Sequence, residues 1–167
     1  MQAIQDFYVA RDAVVVGDVV LAAGVNIWFT SVVRGDLARI TLGPRVVVQD
    51  GCVIHTDADK PMSIEEGVVL GHGAVLHGCR VGRETLVGVG AKLLTASEVG
   101  AECLIAAGAV VTEKRRIPDR SVVMGVPGRV VREIKQEELE RTRAVNAYYL
   151  ELAQRYARGG YPPPWTR

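Results

Sequence analysis

Apolar positions recur along this chain with a period that is neither the two of a strand nor the 3.6 of a helix. Val81, Val87, Leu93, Val99, Ile105, Val111 and Ile117 fall at every sixth residue. Four residues beyond an anchor the side chain is small, at Thr85, Ala91, Ser97, Cys103 and Ala109. Glycine or alanine often follows the anchor directly, at Gly82, Gly88, Gly100 and Ala106. The pattern continues upstream with interruptions, through Val16, Leu21, Ile27 and Val33, then Leu42, Val48 and Ile54, then Ile64, Leu70 and Leu76. Its small or β-branched slots there are Val20, Val25, Ser31, Val46, Cys52, Val68 and Ala74, while Leu37, Arg80 and Arg115 break the rule. A hexad of this kind predicts a short strand and a turn, three hexads closing one triangular coil, with successive coils pairing at ~4.8 Å. A β-sandwich expects period-two strands with turns about every 8–12 residues and does not explain period six. The expected fold is therefore all-β, a parallel β-helix over residues 1–130.

After Ile117 the loop Gly125-Val126-Pro127-Gly128 leaves the prism. From about Glu133 the period changes. Val145, Tyr149, Leu152 and Tyr156 are spaced four, three and four apart among charged residues, which predicts an amphipathic helix ending near Gly159-Gly160. Residues 131–167 are expected to pack on the same domain, with a polyproline-like tail from Tyr161 to Trp165.

Composition sharpens this picture. Glycine is high at 18 residues, aromatics are only 5%, and 20 basic against 19 acidic residues leave a net charge of +1. Nucleic-acid and polybasic membrane binders need a sustained positive face, so neither class is expected. No apolar run approaches ~18 residues, and the first residues lack the basic and apolar parts of a leader. Cys52, Cys79 and Cys103 form no CxxC pair, so a reducing, cytoplasmic setting is the simpler reading.

The three histidines, His55, His72 and His77, all lie within 23 residues. His55 follows anchor Ile54 and His77 follows anchor Leu76, three hexads on, so the two should stack on one face at the rung spacing and converge on one cation. His72 follows Leu70 by two residues and belongs to the preceding face. One chain then cannot complete a three-histidine site, whereas a homotrimer can, with His55 and His77 of one copy meeting His72 of the next. Three protein ligands and an open position is the arrangement of catalytic zinc. Arg34 should lie one coil below His55, and Asp50 directly beneath His72, where it can orient a ring. Arg34 and Asp36 form either a surface ion pair or a pair that fixes subunit register.

The ordered motifs Val33-Arg34-Gly35-Asp36, Val48-Gln49-Asp50-Gly51, Ile54-His55 and Leu70-Gly71-His72-Gly73-Ala74-Val75-Leu76-His77 resemble the γ-class carbonic anhydrase family over nearly the whole chain. The resemblance implies a left-handed β-helix, a homotrimer, and Zn2+ (or Fe2+ or Co2+) held between subunits by His55, His72 and His77. It implies reversible hydration of CO2 to bicarbonate by a metal-bound hydroxide. It further implies that Gln49 hydrogen-bonds metal-bound solvent or bicarbonate, that Arg34 and Asp36 pair across subunits, that Asp50 is a neighbouring acid, and that Tyr149, or failing it Tyr148, reaches the site from the helix. Two features depart from the family pattern. The loop from Thr56 to Ser63 offers Asp57 and Asp59 where a glutamate shuttle is usual, and Val47 stands where an asparagine would line the pocket. Two other functions share the prism: a hexapeptide acyltransferase or CoA thioesterase, which uses a single histidine as base, and a metal-carrying trimer with a structural role.

Overall fold

The computed structural model describes residues 1–4 and 6–161; the proline run and Trp165 of the expected tail lie outside them. Short parallel strands stack into a three-faced prism, a parallel β-helix closed by one C-terminal helix. The first face stacks Phe7–Val9, Asn26–Ile27, Val47–Val48, Val69–Leu70, Leu86–Val87, Leu104–Ile105 and Ser121–Met124. The second runs from Val32–Arg34 through Val53–His55 and Val75–His77 to Lys92–Leu93 and Val110–Val111. The third pairs Ile40–Leu42 with Met62–Ile64, Arg80–Val81, Glu98–Val99 and Arg116–Ile117.

The period of six follows from this shape. With three faces, only one residue per hexad need point to the axis, and the anchors from Ile27 to Ile117 are all buried in one continuous column. The small slots turn the corners. Cys52, Ala74, Ala91, Cys103 and Ala109 are buried there, as are the β-branched Val25, Val46 and Val68 in the earlier coils. Burial pushes the Cys52 and Cys79 thiols up to about 12, so both stay protonated and behave as packed apolar groups.

The register differs from expectation in the first coil. Val15, not Val16, pairs with Val33 and packs against the core, while Val14 and Val16 are exposed. Val20 likewise points outward, and Ile40 is an anchor that the hexad count passes over. The cause is the strand Val32–Leu42, which runs unbroken around a corner and accommodates its extra residues as a bulge, leaving Leu37 in solvent. Gly17 and Gly35 make that corner possible. Gly17 has φ +84°, and a Cβ on it would come within 2.4 Å of the Gly35 carbonyl, so the coils meet there backbone to backbone.

Both ends of the prism reverse direction. Gln2–Ile4 pairs antiparallel with Phe7–Val9, and Ser121–Met124 pairs antiparallel with Arg129–Glu133. The helix Gln136–Ala157 then descends the first face. At its start Leu139 packs with Leu104, Val122 and Ile134; further on Val145, Tyr149, Leu152, Ala153 and Tyr156 cover Trp28, Val47, Val69 and Leu86. The buried Asn146 amide donates to the Arg45 and Gly67 carbonyls at 2.7 and 3.1 Å, pinning mid-helix to two coils. No helix among the described residues is long and apolar enough to cross a membrane.

Candidate metal centre

His55 and His77 are direct cross-strand partners, and Arg34 is the partner of His55 one coil below. A strand alternates its side chains, so the residue after each inward anchor must face out. Stacking therefore brings the two imidazoles together on the outer surface of the second face. His55 Nδ1 and His77 Nε2 are 3.2 Å apart.

The outer nitrogens decide what lies between the rings. His55 Nε2 is 3.0 Å from Asp36 Oδ1, and the same carboxylate takes the Arg34 guanidinium on its other oxygen. Partial desolvation raises the Asp36 pKa, but hydrogen bonds from Arg34 and His55 outweigh it and hold the carboxyl below its ordinary value. Asp36 is thus an acceptor, and His55 Nε2 carries the hydrogen. His77 Nδ1 is 3.0 Å from Thr95 Oγ1, and that hydroxyl donates its proton to Asp57 Oδ2 at 2.9 Å. Thr95 can then only accept from His77, which places the ring hydrogen on Nδ1. Assigned in this way from their partners, both inner nitrogens present lone pairs to each other. Two lone pairs at 3.2 Å repel unless a proton or a metal cation sits between them. Two ligands of one tetrahedral ion at ~2.0–2.1 Å would lie about 3.3 Å apart.

His72 occupies the turn between the first and second faces. Its Nδ1 is 2.9 Å from Asp50 Oδ2, and Asp50 also accepts the Phe29 amide. Its backbone N–H donates to Gln49 Oε1 at 3.0 Å, and its Nε2 is 3.4 Å from the Tyr149 hydroxyl. Tyr149 is held edge-on against Trp28 with ring centroids 5.3 Å apart, and Trp28 in turn donates to Asn26 at 2.8 Å. Burial, with the Asp50 charge beside it, raises the Tyr149 pKa. Tyr148 is exposed and meets Tyr149 edge-on.

The candidate residues thus form two groups: Arg34, Asp36, His55 and His77 in one, Gln49, Asp50, His72 and Tyr149 in the other. Among the described residues no three His, Cys, Asp or Glu side chains converge within the chain. Thr95 was not foreseen, and Asp57 was foreseen only as a relay. A hydroxyl at a turn carries no sequence signal, and Asp57 meets Thr95 across 38 positions. Val47 lines no pocket. It is fully buried beneath the helix beside Trp28 and Ala153, so an apolar residue there extends the helix seat.

No family model matches the chain. "Probable carbonic anhydrase" of Methanocaldococcus jannaschii is 41% identical over 146 residues, 87% of this chain and 92% of that protein. The chain belongs to the γ-class carbonic anhydrase-like family. "Gamma carbonic anhydrase 1, mitochondrial" of Arabidopsis thaliana is 36% identical over 92% of this chain and 58% of its own length. "Carnitine operon protein CaiE" of Escherichia coli is 36% identical over 89% of the chain and 76% of that protein. Among solved structures, a Bacillus cereus protein named for acetyl transfer superposes with a TM-score of 0.91 at 31% identity, covering 94% of this chain and 91% of its own. The fold of this family member is the left-handed hexapeptide-repeat β-helix, which carries more than one chemistry.

Proposed function

We propose that this protein reversibly hydrates CO2 to bicarbonate at a three-histidine metal site built between copies of a homotrimer. The observation that carries the reading is the pair of facing ring nitrogens, each with its opposite nitrogen tied to an acceptor. Three neutral imidazoles, each donating its other N–H to a carboxylate or a carboxylate-bound hydroxyl, fit Zn2+, and also Fe2+ or Co2+. His55 and His77 of one copy would hold the ion together with His72 of the next.

Such an ion, when bound, acidifies water enough to supply a nucleophile near neutral pH. The rest of the work belongs to the chain. Asp36 and Asp50 hold the His55 and His72 rings by their outer N–H groups. Gln49, almost fully buried, has its carbonyl committed to the His72 amide, so it offers a ligand only its NH2 end, a donor suited to bicarbonate oxygen. Arg34, fixed by Asp36, places a positive charge beside the rings, where it would favour an anionic product. Tyr149 closes the His72 side with its hydroxyl. Assembly is supported by the outward row of the second face, where Val32, Val53 and Val75 stack beside the histidines, with exposed Lys92 following them before Val110. The protonated buried thiols suit a reducing, cytoplasmic setting.

Stopped-flow CO2 hydration on protein loaded anaerobically with Zn2+ or Fe2+ tests the reading, with His77→Ala as control. The expected result is hydration that disappears in the control. Acyl transfer is a second reading, favoured by the acetyltransferase name of the Bacillus cereus protein. A metallated trimer that leaves CO2 untouched but acylates an acceptor from acetyl-CoA would establish it and overturn the first.

A further inference from the structure

Thr95 lies in the coil above His77, at the turn after Leu93, and its position is closely defined. Its neighbour Ala96 donates its N–H to the Gly78 carbonyl at 2.7 Å, and the Gly78 Cα passes close enough that a Cβ there would touch the Thr95 methyl at 3.4 Å. On the other side the loop from Thr56 to Lys60 is folded on itself. Lys60 donates its N–H to the Asp57 carbonyl at 3.2 Å, and the buried Thr56 hydroxyl donates to the Lys60 carbonyl. That fold delivers Asp57 Oδ2 to 2.9 Å from Thr95 Oγ1 and 3.6 Å from His77 Nδ1. The hydroxyl therefore hydrogen-bonds both the ring and the carboxylate, while the carboxylate oxygen, at 3.6 Å, lies beyond hydrogen-bond reach of the ring.

We infer that Thr95 is a positioning residue for His77: with Asp57 it fixes the hydrogen on Nδ1 and so turns the Nε2 lone pair toward the shared cation. A threonine hydroxyl owns one proton. A carboxylate can only accept, so that proton goes to Asp57, and the oxygen facing His77 has only a lone pair left to offer. The polarity of the whole chain, Asp57 to Thr95 to His77, is set by the charge at its far end. Asp36 does the same directly for His55, in the opposite ring orientation, with Nε2–H outward and Nδ1 inward. The two histidines thus reach the same electronic state by different routes, one through a carboxylate and one through a hydroxyl relay. The inference rests on the reading of His77 as a metal ligand, but the tautomer it assigns is a property of the cation-free chain.

Asp57→Asn separates polarity from shape. The amide keeps the size of the carboxylate and can donate to Thr95, which frees the hydroxyl to donate to His77 Nδ1 and move the ring hydrogen to Nε2. Thr95→Val keeps the shape and removes the relay, and Thr95→Ser restores it. With only three histidines in the chain, 15N-histidine labelling and long-range 1H–15N spectra, assigned with His55→Ala and His77→Ala, report which nitrogen of His77 is protonated. Zn2+ affinity is read separately by competition with a chromophoric chelator. The expected result is a protonated Nδ1 in the wild type and Thr95→Ser, loss of that signature in Asp57→Asn and Thr95→Val, and Zn2+ affinity weakened in those two by about 10–100-fold. A wild-type His77 lacking the Nδ1 proton, or a Thr95→Val protein that keeps both the signature and the affinity, overturns the inference. If the wild type binds no Zn2+ while the spectra behave as described, the metal reading fails and the positioning of His77 by Thr95 stands.

Discussion

The second and third faces of the prism have nearly the same inside and opposite outsides. Val33, Ile54, Leu76, Leu93 and Val111 point inward from one; Leu42, Ile64, Val81, Val99 and Ile117 point inward from the other, and all ten are buried. Outward, the second face presents mostly valines, with Lys92 among them, beside Arg34, His55 and His77; the third presents Thr41, Ser63, Arg80, Glu98 and Arg116 in register, with Arg116 paired to Glu98 at 3.3 Å. A strand of two or three residues commits one position to the axis and leaves the others uncommitted. The column that stabilises the fold and the surface that carries chemistry are therefore specified by different residues and vary independently. That is why one prism can underlie proteins named for CO2 hydration and for acetyl transfer.

The largest break in this comparison should come from charging the valine row. Val53→Lys with Val75→Lys is expected to leave a folded monomer by sedimentation equilibrium and to reduce hydration to background, because His72 of a second copy no longer arrives. Arg80→Ala with Arg116→Ala on the third face should leave a trimer. A charged second face that still sediments as a trimer would place the interface elsewhere.

Inside, the two faces should behave alike. Leu76→Ala and Ile64→Ala each open a cavity in the same fully buried column and should each cost about 2–5 kcal/mol, read from urea melts at fixed protomer concentration. A cost confined to the second face would mean that its interior, too, depends on assembly.

The first face sharpens the contrast, because its cover is the chain's own helix. Arg132 grips Glu138 with two bonds of 2.7 Å, and Glu138 also caps the Lys135 amide at 3.0 Å. The Arg132 bond, then the Lys135 amide, lower the Glu138 pKa from 4.5 to about 2. A depressed carboxylate contributes stability that is complete above its unfolded value and lost as pH falls through the folded one. Helix docking should accordingly weaken between about pH 4.5 and 2, followed by far-ultraviolet circular dichroism. Glu138→Gln should be less stable at neutral pH and lose less across that window, the remaining acid dependence coming from Glu84, which Arg143 of the helix holds below its ordinary value. Smallest of all, Arg116→Ala alone should change stability by no more than about 0.5 kcal/mol, since its ion pair is exposed.

How much of this was legible follows from where the pattern is periodic. From Leu42 onward the hexads fix the register, and with it the stacking of His77 on His55 and of His72 over Asp50. The first coil is not legible because Val14, Val15 and Val16 are interchangeable as letters; the Gly17–Gly35 contact accompanies the turning of Val15 inward. Ile40 was missed because a strand that rounds a corner does not keep period six. Val47 was misplaced because its neighbour is the helix, about 100 residues away, and hexad spacing says nothing of what covers a face. Thr95 gives no such sign for the same reason: its partner Asp57 lies in a loop that interrupts the repeat.

The helix of 22 residues touches the prism near both ends, at Leu104 and Val122 and again at Trp28 and Tyr8. It is a strut ~33 Å long at a rise of ~1.5 Å per residue, bolted to a stack whose repeat is ~4.8 Å. Hexads in register could otherwise be gained or lost a coil at a time with no change to the caps. The strut forbids that: each coil removed slides its far anchors by ~4.8 Å, close to three residues of helix. Coil number and helix length can change only in step, so this member of the fold carries its own measure of height.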